Sequence, residues 1–169
     1  MYRYKPKAVA ASAVKIASIK KLIISGNAEV TISQNPKSKT LFINEGNEHV
    51  SVKKIGDAIY INSHNYAKIT VYVDDIYRIE ASEQAIVRSE KTLNLKYLQV
   101  FSKDFAYVNI NANTESLFTS IKDQSNLTLK GNTDLYTIDM DKSSRIALQN
   151  FKSKKTDMSA SDVFVSSRS

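Results

Sequence analysis

The chain has 169 residues, a net charge of +7, no Cys, no Trp, four Gly and two Pro. That length fits one domain whose core needs no staple, and the missing Cys excludes disulfides, thiolate nucleophiles and Cys-ligated metal sites. The scarcity of Gly and Pro excludes collagen-like and linker-like classes. Ile and Val far outnumber Leu, and Tyr is the leading aromatic with nine copies. Such side chains suit a pleated, half-buried surface, so the expectation is mainly β.

The first segment, residues 1–14, is a basic arm. Arg3, Lys5, Lys7, Lys15, Lys20 and Lys21 precede the first carboxylate, Glu29, and the remaining body is nearly neutral. The high pI therefore belongs to an arm and not to a basic face, and no nucleic-acid partner is expected. The run Ala8 to Val14 is short, weakly apolar and ended by Lys15. It reads neither as a secretory leader nor as a membrane span. The arm is expected to be disordered or to cap the domain at 15–169, with Val9 to Lys21 as a short helix in the capping form.

From about residue 20 onward one pattern recurs. Two apolar positions at i and i+2 are followed by three spacers, a small corner residue, and apolar positions two and four later. Clear copies are Leu22, Ile24, Ala28, Val30, Ile32 and Val100, Ser102, Ala106, Val108, Ile110. Two more are Thr119, Ile121, Ser125, Leu127, Leu129 and Ile138, Met140, Ser144, Ile146, Leu148. Ile79, Ala81, Ala85, Val87 is a further copy, and Thr156, Met158, Ser161, Val163, Val165 closes the series with one spacer deleted. Looser copies are Leu41, Ile43, Asn47, Val50, Val52 and Ile59, Ile61, Ala67, Ile69, Val71.

Alternation places every second side chain on one face, so these residues are expected inside. A unit this short with one apolar face is buried only by stacking on its neighbours. The fold expected is all-β: a single-stranded parallel β-helix (β-solenoid) of about eight coils with a period near 19 residues. Its vertical ladders would include Val87, Val108, Leu127, Ile146 and Val163. The alternative is an antiparallel β-sandwich, which usually needs Asn-Gly or Asp-Gly turns; neither dipeptide occurs.

Two segments carry a family resemblance. Leu22 to Ser33, LIISGNAEVTIS, resembles the opening strand and turn of the head GIN domain, a family of adhesin-like bacterial proteins. Lys68 to Val87, KITVYVDDIYRIEASEQAIV, is similar to that family's middle signature. Ser125, Ser144 and Ser161 stand where the family has Ser/Gly-rich turns. The likeness extends over about residues 15–165 and implies a bacterial cell-envelope or surface protein, adhesive in role. This chain's corners carry few glycines, which suggests tighter and less regular corners than the family's, and it shows no evident export signal.

Little in the sequence points to catalysis. His49 and His64 lie in polar stretches and read as solvated corner residues without triad partners. The repeat register puts Asp139 and Asp157 in one outward column with Asp141 nearby, the weak candidates for a Ca²⁺ or hydrolase site. No cofactor fingerprint is present. Outward aromatics Tyr60, Tyr72 and Tyr136 are scattered, whereas Tyr97, Phe101, Phe105 and Tyr107 cluster on or beside one coil. Exposed apolar clusters mark contact surfaces, so these four are the candidate binding residues. The function expected is a non-enzymatic surface module, adhesin-like, with a homo-oligomer or a cell-surface glycan or protein as partner. A structural self-assembling solenoid and a polysaccharide-active β-helix enzyme are the alternatives.

Overall fold

The computed structural model describes residues 13–16 and 18–158. Those residues form twelve strands in one sheet and no α-helix. In chain order the strands are β1 (Ala13–Lys15), β2 (Lys21–Gln34), β3 (Thr40–Glu45), β4 (Val50–Ile55), β5 (Ala58–Val73) and β6 (Arg78–Ala81). There follow β7 (Ile86–Ser89), β8 (Leu93–Asn94), β9 (Tyr97–Ser102), β10 (Tyr107–Ile121), β11 (Asn126–Met140) and β12 (Arg145–Met158). The spatial order is β1-β3-β5-β2-β6-β9-β10-β11-β12, with β4 on β5, β7 between β2 and β10, and β8 on β10. From β5 through β12 every pairing is parallel. The architecture is β-helix-like, a parallel sheet wrapped around one buried core.

Registers show how the wrapping works. β10 pairs through its first half with β7 and through its second with β9, and both halves pair with β11. One long strand thus turns through the bend at Thr114–Glu115 and serves two faces of the molecule. Tyr107 stands opposite Asn126 and Asn126 opposite Arg145, and the Thr114–Thr133 pair is 19 residues apart. Residues assigned inward by alternation fill the core: Val87, Val108 and Leu127 stack in register, as do Ile79, Val100 and Ile121's neighbour Thr119, all buried. The mostly parallel pairing rules out the antiparallel sandwich.

Several expectations from sequence need correction. Residues 40–55 are not a parallel coil, because β3 and β4 both run antiparallel to β5. The reversal is made by Gly56 and Asp57 between the paired Ile55 and Ala58, with Gly56 at φ 63°. Gly in the first place of a two-residue loop is a hairpin signal. The stack also departs from chain order: β2 lies between β5 and β6. The link from β5 to β6 passes the start of β2, where the Tyr77 and Arg78 N–H groups donate to the Lys20 carbonyl.

At the other end, β12 carries an irregularity between its Ala147 and Asn150 pairings. Beyond it the offset to β11 is 20 residues and not the 18 expected, so Met158, not Thr156, stands opposite Ile138 and Thr156 stands opposite Tyr136. Ile146 is only partly buried. Tyr136, expected outside, is 1% exposed, because it shares the inward parity of Ile138 and Met140. Its hydroxyl shares a 2.8 Å hydrogen bond with the buried Thr119, and burial raises its pKa. Residues 13–15 form a strand against β3, so the helix expected there does not form over them. The rest of the arm and the ladder positions Ser161, Val163 and Val165 lie outside the described residues.

The ladder makes a sharp distinction between neighbours. Val108→Asp places an unpaired charge between Val87 and Leu127 and is expected to cost on the order of 5 kcal/mol, comparable to a whole domain's stability. Asn109→Asp, one residue on and outward, should change stability by about 0.5 kcal/mol or less. Thermal melts of the two variants check the assignment of inside and outside.

Candidate surface site

β9 alternates Leu98, Val100 and Ser102 inward with Tyr97, Gln99 and Phe101 outward. It is covered along its length by β10 and from Gln99 to Ser102 by β6, so over those four residues it presents side chains and no free backbone edge. Two hollows lie on this outward face. One, of about 500 Å³, is lined by Lys20, Asp75, Tyr77, Lys96, Tyr97 and Gln99. The other, of about 430 Å³, has Ile23 and Phe101 among its apolar walls and Ser25, Ser102, Lys103 and Ser120 among its polar ones. Both fall in the size range of small-ligand sites.

Arg78 contacts lining residues of both hollows. Its Nε donates to Gln99 Oε1 at 2.8 Å, its terminal nitrogen donates to Glu80 Oε2 at 3.2 Å, and its guanidinium lies 4.7 Å from the Phe101 ring centre. Phe101 also packs on Phe118 at 5.6 Å between ring centres, which leaves it half-buried. Tyr97 remains 54% exposed, with the Lys96 ammonium 5.5 Å from its ring centre. At the start of β2 Lys21 sits 5.7 Å from the Tyr77 ring, and its pKa is raised by its hydrogen bond to Tyr77 and by Asp57.

The four aromatics expected to form one patch therefore divide. Tyr97 and Phe101 stand on the β9 face with Tyr77, which sequence reasoning missed. Phe105 is exposed on the corner between β9 and β10, and Tyr107 lies beyond it between Ile86 and Asn126. Tyr77 was legible only through the stacking order, since it precedes β6 and meets β9 because those two strands pair.

The corner itself is built from acids. Glu83, Asp104 and Asp123 hold left-handed φ values of 60°, 61° and 61° in three successive turns. Asp tolerates this conformation better than most non-Gly residues. Each turn's backbone is then capped from the next coil. The Glu83 N–H donates to Asp104 Oδ2 at 2.9 Å, Asp104 N–H to Asp123 Oδ2 at 3.0 Å, and Asp123 N–H to Asp141 Oδ2 at 2.7 Å. The corners are regular without glycine, a correction to the less regular geometry expected of them. A second column, Asn94, Asn113 and Asn132, links side-chain amides along the opposite bend.

The candidate catalytic carboxylates do not converge. The β12 irregularity sets Asp157 opposite Thr137, so it is not in Asp139's column. Asp139 accepts from Lys122 Nζ at 3.0 Å and Ser120 Oγ at 3.3 Å, while Asp141 is occupied with capping. His49 and His64 meet edge to face at 4.9 Å, with Glu48 3.4 Å from His49. Among the described residues no group of three or more His, Asp or Glu side chains is placed to hold a metal.

A profile of the family described as "Putative auto-transporter adhesin, head GIN domain" matches residues 18–161. Solved structures with the same fold include a putative adhesin from Parabacteroides distasonis, at 11% identity and a TM-score of 0.66, covering 88% of this chain and 76% of that one. A putative lipid binding protein from the same organism has 11% identity, a TM-score of 0.64 and the same coverage. A putative adhesin from Parabacteroides merdae has 10% identity and a TM-score of 0.61, covering 88% of this chain and 75% of that one. No curated protein matches the chain in sequence.

Asp141 gives the corner a pH dependence. Partial burial pulls its pKa up, but the Asp123 N–H and the Ser143 and Ser144 donors outweigh this and hold it below the ordinary value. A carboxyl with a lowered folded pKa contributes stability above its unfolded pKa of about 4, and that contribution is lost as pH falls through the folded value. Asp141→Ala should cost about 1 kcal/mol at pH 7 by removing these acceptors. Urea melts should show the gap between wild type and variant narrowing from pH 5 to pH 2.

Proposed function

The chain belongs to the head GIN domain family, and on that premise we propose that it is a non-enzymatic binding module of the bacterial envelope or surface, adhesin-like in action. We read its wrapped sheet as a β-helix with coils repeating roughly every 19 residues, which serves as a rigid frame for an outward contact face. The observation that carries the reading is the β9 face, where Tyr77, Tyr97 and Phe101 line adjoining hollows on strands fixed from both sides. Aromatic side chains combine a large contact area with little conformational freedom to lose, which suits them to anchoring a partner. The family's adhesin description supports a surface location. No helix in the described residues is long and apolar enough to cross a membrane.

Two alternatives are less favoured. A hydrolase would need carboxylates free to act, whereas Asp139 and Asp141 are held by Lys122, Ser120 and the corner backbone. Assembly by stacking at the β12 end would bring a partner strand against Lys152, Lys154 and Lys155, and edge lysines oppose such pairing.

The reading predicts that beads coated with the protein are retained on some members of a panel of bacterial and epithelial surfaces. The double variant Tyr77→Ser, Tyr97→Ser should reduce retention at least about tenfold, the loss of two anchors at about 1 kcal/mol or more each. Its melting temperature should remain near wild type, because both rings are outward. Retention on no surface, or retention untouched by the double change, contradicts the proposal.

A further inference from the structure

Resting on the binding-module reading, we propose that the β9 face binds a linear anionic polysaccharide laid along the strand, with its sugar rings on Tyr77, Tyr97 and Phe101 and its acidic groups at Lys96 and Lys103. The first support is charge. Four cations of this face have acidic partners: Lys20 with Asp75 at 3.9 Å, Lys21 with Asp57 at 3.6 Å, Arg78 with Glu80 at 3.2 Å and Lys122 with Asp139 at 3.0 Å. Lys96 and Lys103 make no ion pair among the described residues. Each is exposed and lines one of the two hollows. They bracket β9, about 23 Å apart at the rise of an extended strand. That is beyond the screening length in physiological salt, so they act as separate anchors for a repeating anion and not as one point site.

The second support is the chemistry between those anchors. A sugar ring offers an apolar C–H face and a rim of hydroxyls. Tyr77 and Tyr97 supply flat surfaces at one end and Phe101 at the other, while Gln99, Ser25 and Ser120 supply donors and acceptors between and beside them.

An acidic peptide meets the same charges less well. Peptides bound in extended form gain affinity by pairing their backbone with a sheet edge. β9 is paired with β10 along its length and with β6 from Gln99 to Ser102, so a peptide lying across those residues would leave its own N–H and C=O groups unmatched.

The test uses the intact protein on immobilised alginate, dextran sulfate, uncharged dextran and poly-L-glutamate. Binding to alginate or dextran sulfate is expected, weakening as salt rises, with dextran and poly-L-glutamate at least tenfold weaker. Preference between the first two assigns the acid as carboxylate or sulfate. Lys96→Glu with Lys103→Glu, and separately Tyr77→Ser with Tyr97→Ser, should each lower affinity at least tenfold. Phe105→Ser, off the face, should leave it unchanged, and circular dichroism melts confirm that each variant is folded. No binding to either anionic polysaccharide overturns the proposal. So does equal binding to poly-L-glutamate, or binding that responds to the lysines and ignores the tyrosines. Surface adhesion that persists while both anionic polysaccharides fail overturns the ligand assignment alone and leaves the binding-module reading standing.

Discussion

Each turn of this chain carries too little apolar surface to bury by itself, and its backbone groups find partners only in the strands above and below. Stacking satisfies both needs in one step: a parallel ladder pairs the N–H and C=O groups while the inward side chains of successive turns fall into columns. Register is therefore the governing constraint. A slip of one residue would turn Val87, Val108 and Leu127 out to water and bring their charged or amide neighbours in. The columns of unlike chemistry hold register as well. Thr114 meets Thr133 at 2.8 Å inside, and the Asn94, Asn113, Asn132 and Glu83, Asp104, Asp123 columns meet at the bends. A one-residue slip would leave each of these hydrogen bonds unmade.

With the inside fixed in this way, the outward positions are free to carry function. The left-handed acids at one corner let the chain turn sharply without glycine, and each is tied to the coil that follows it. That tie leaves the β9 face flanked by a rigid bend. On it, aromatics and cations come from segments as distant in the chain as Lys20, Tyr77, Tyr97 and Lys122. No single strand contains the site; it exists because separate strands and turns are brought to one face.

Much of the core was legible in the sequence because alternation is a local signal. Leu22, Val30, Ile59, Ile79, Val100 and Leu127 could all be placed inside from their spacing alone, and all are buried. The stacking order was not legible, since β2, β5 and β6 have similar inward patterns and periodicity cannot say which neighbours which. The Gly56-Asp57 hairpin was legible in principle, because Gly before Asp is a two-residue turn signal, although neither Asn-Gly nor Asp-Gly occurs. Tyr136, expected among the outward aromatics, shares the parity of the inward Ile138, and that parity was legible in the sequence. The register of β12, which keeps Asp157 out of Asp139's column, has no local signature. For the site, exposure of Tyr97 and Phe105 could be read from the repeat, whereas the corner that parts Phe101 from Tyr107 and the approach of Tyr77 depend on the three-dimensional path.

The placement of β2 between β5 and β6 decides which residues share the β9 face, and it can be measured directly because the protein has no native Cys. In the structure Ile23 stands opposite both Glu80 and Tyr60 on its two sides. Adjacent strands are about 4.8 Å apart, within the 4.4–6.8 Å Cα range of a disulfide, while Tyr60 and Glu80 are separated by two strand spacings, roughly 9.6 Å. The measurement is oxidation of the cysteine pairs 23/80 and 60/80, scored by mass and by mobility on non-reducing gels. The account predicts a rapid crosslink for Ile23→Cys with Glu80→Cys and none for Tyr60→Cys with Glu80→Cys. A crosslink at 60/80 with none at 23/80 would mean that the coils stack in chain order and that the β9 face described here is wrongly assembled.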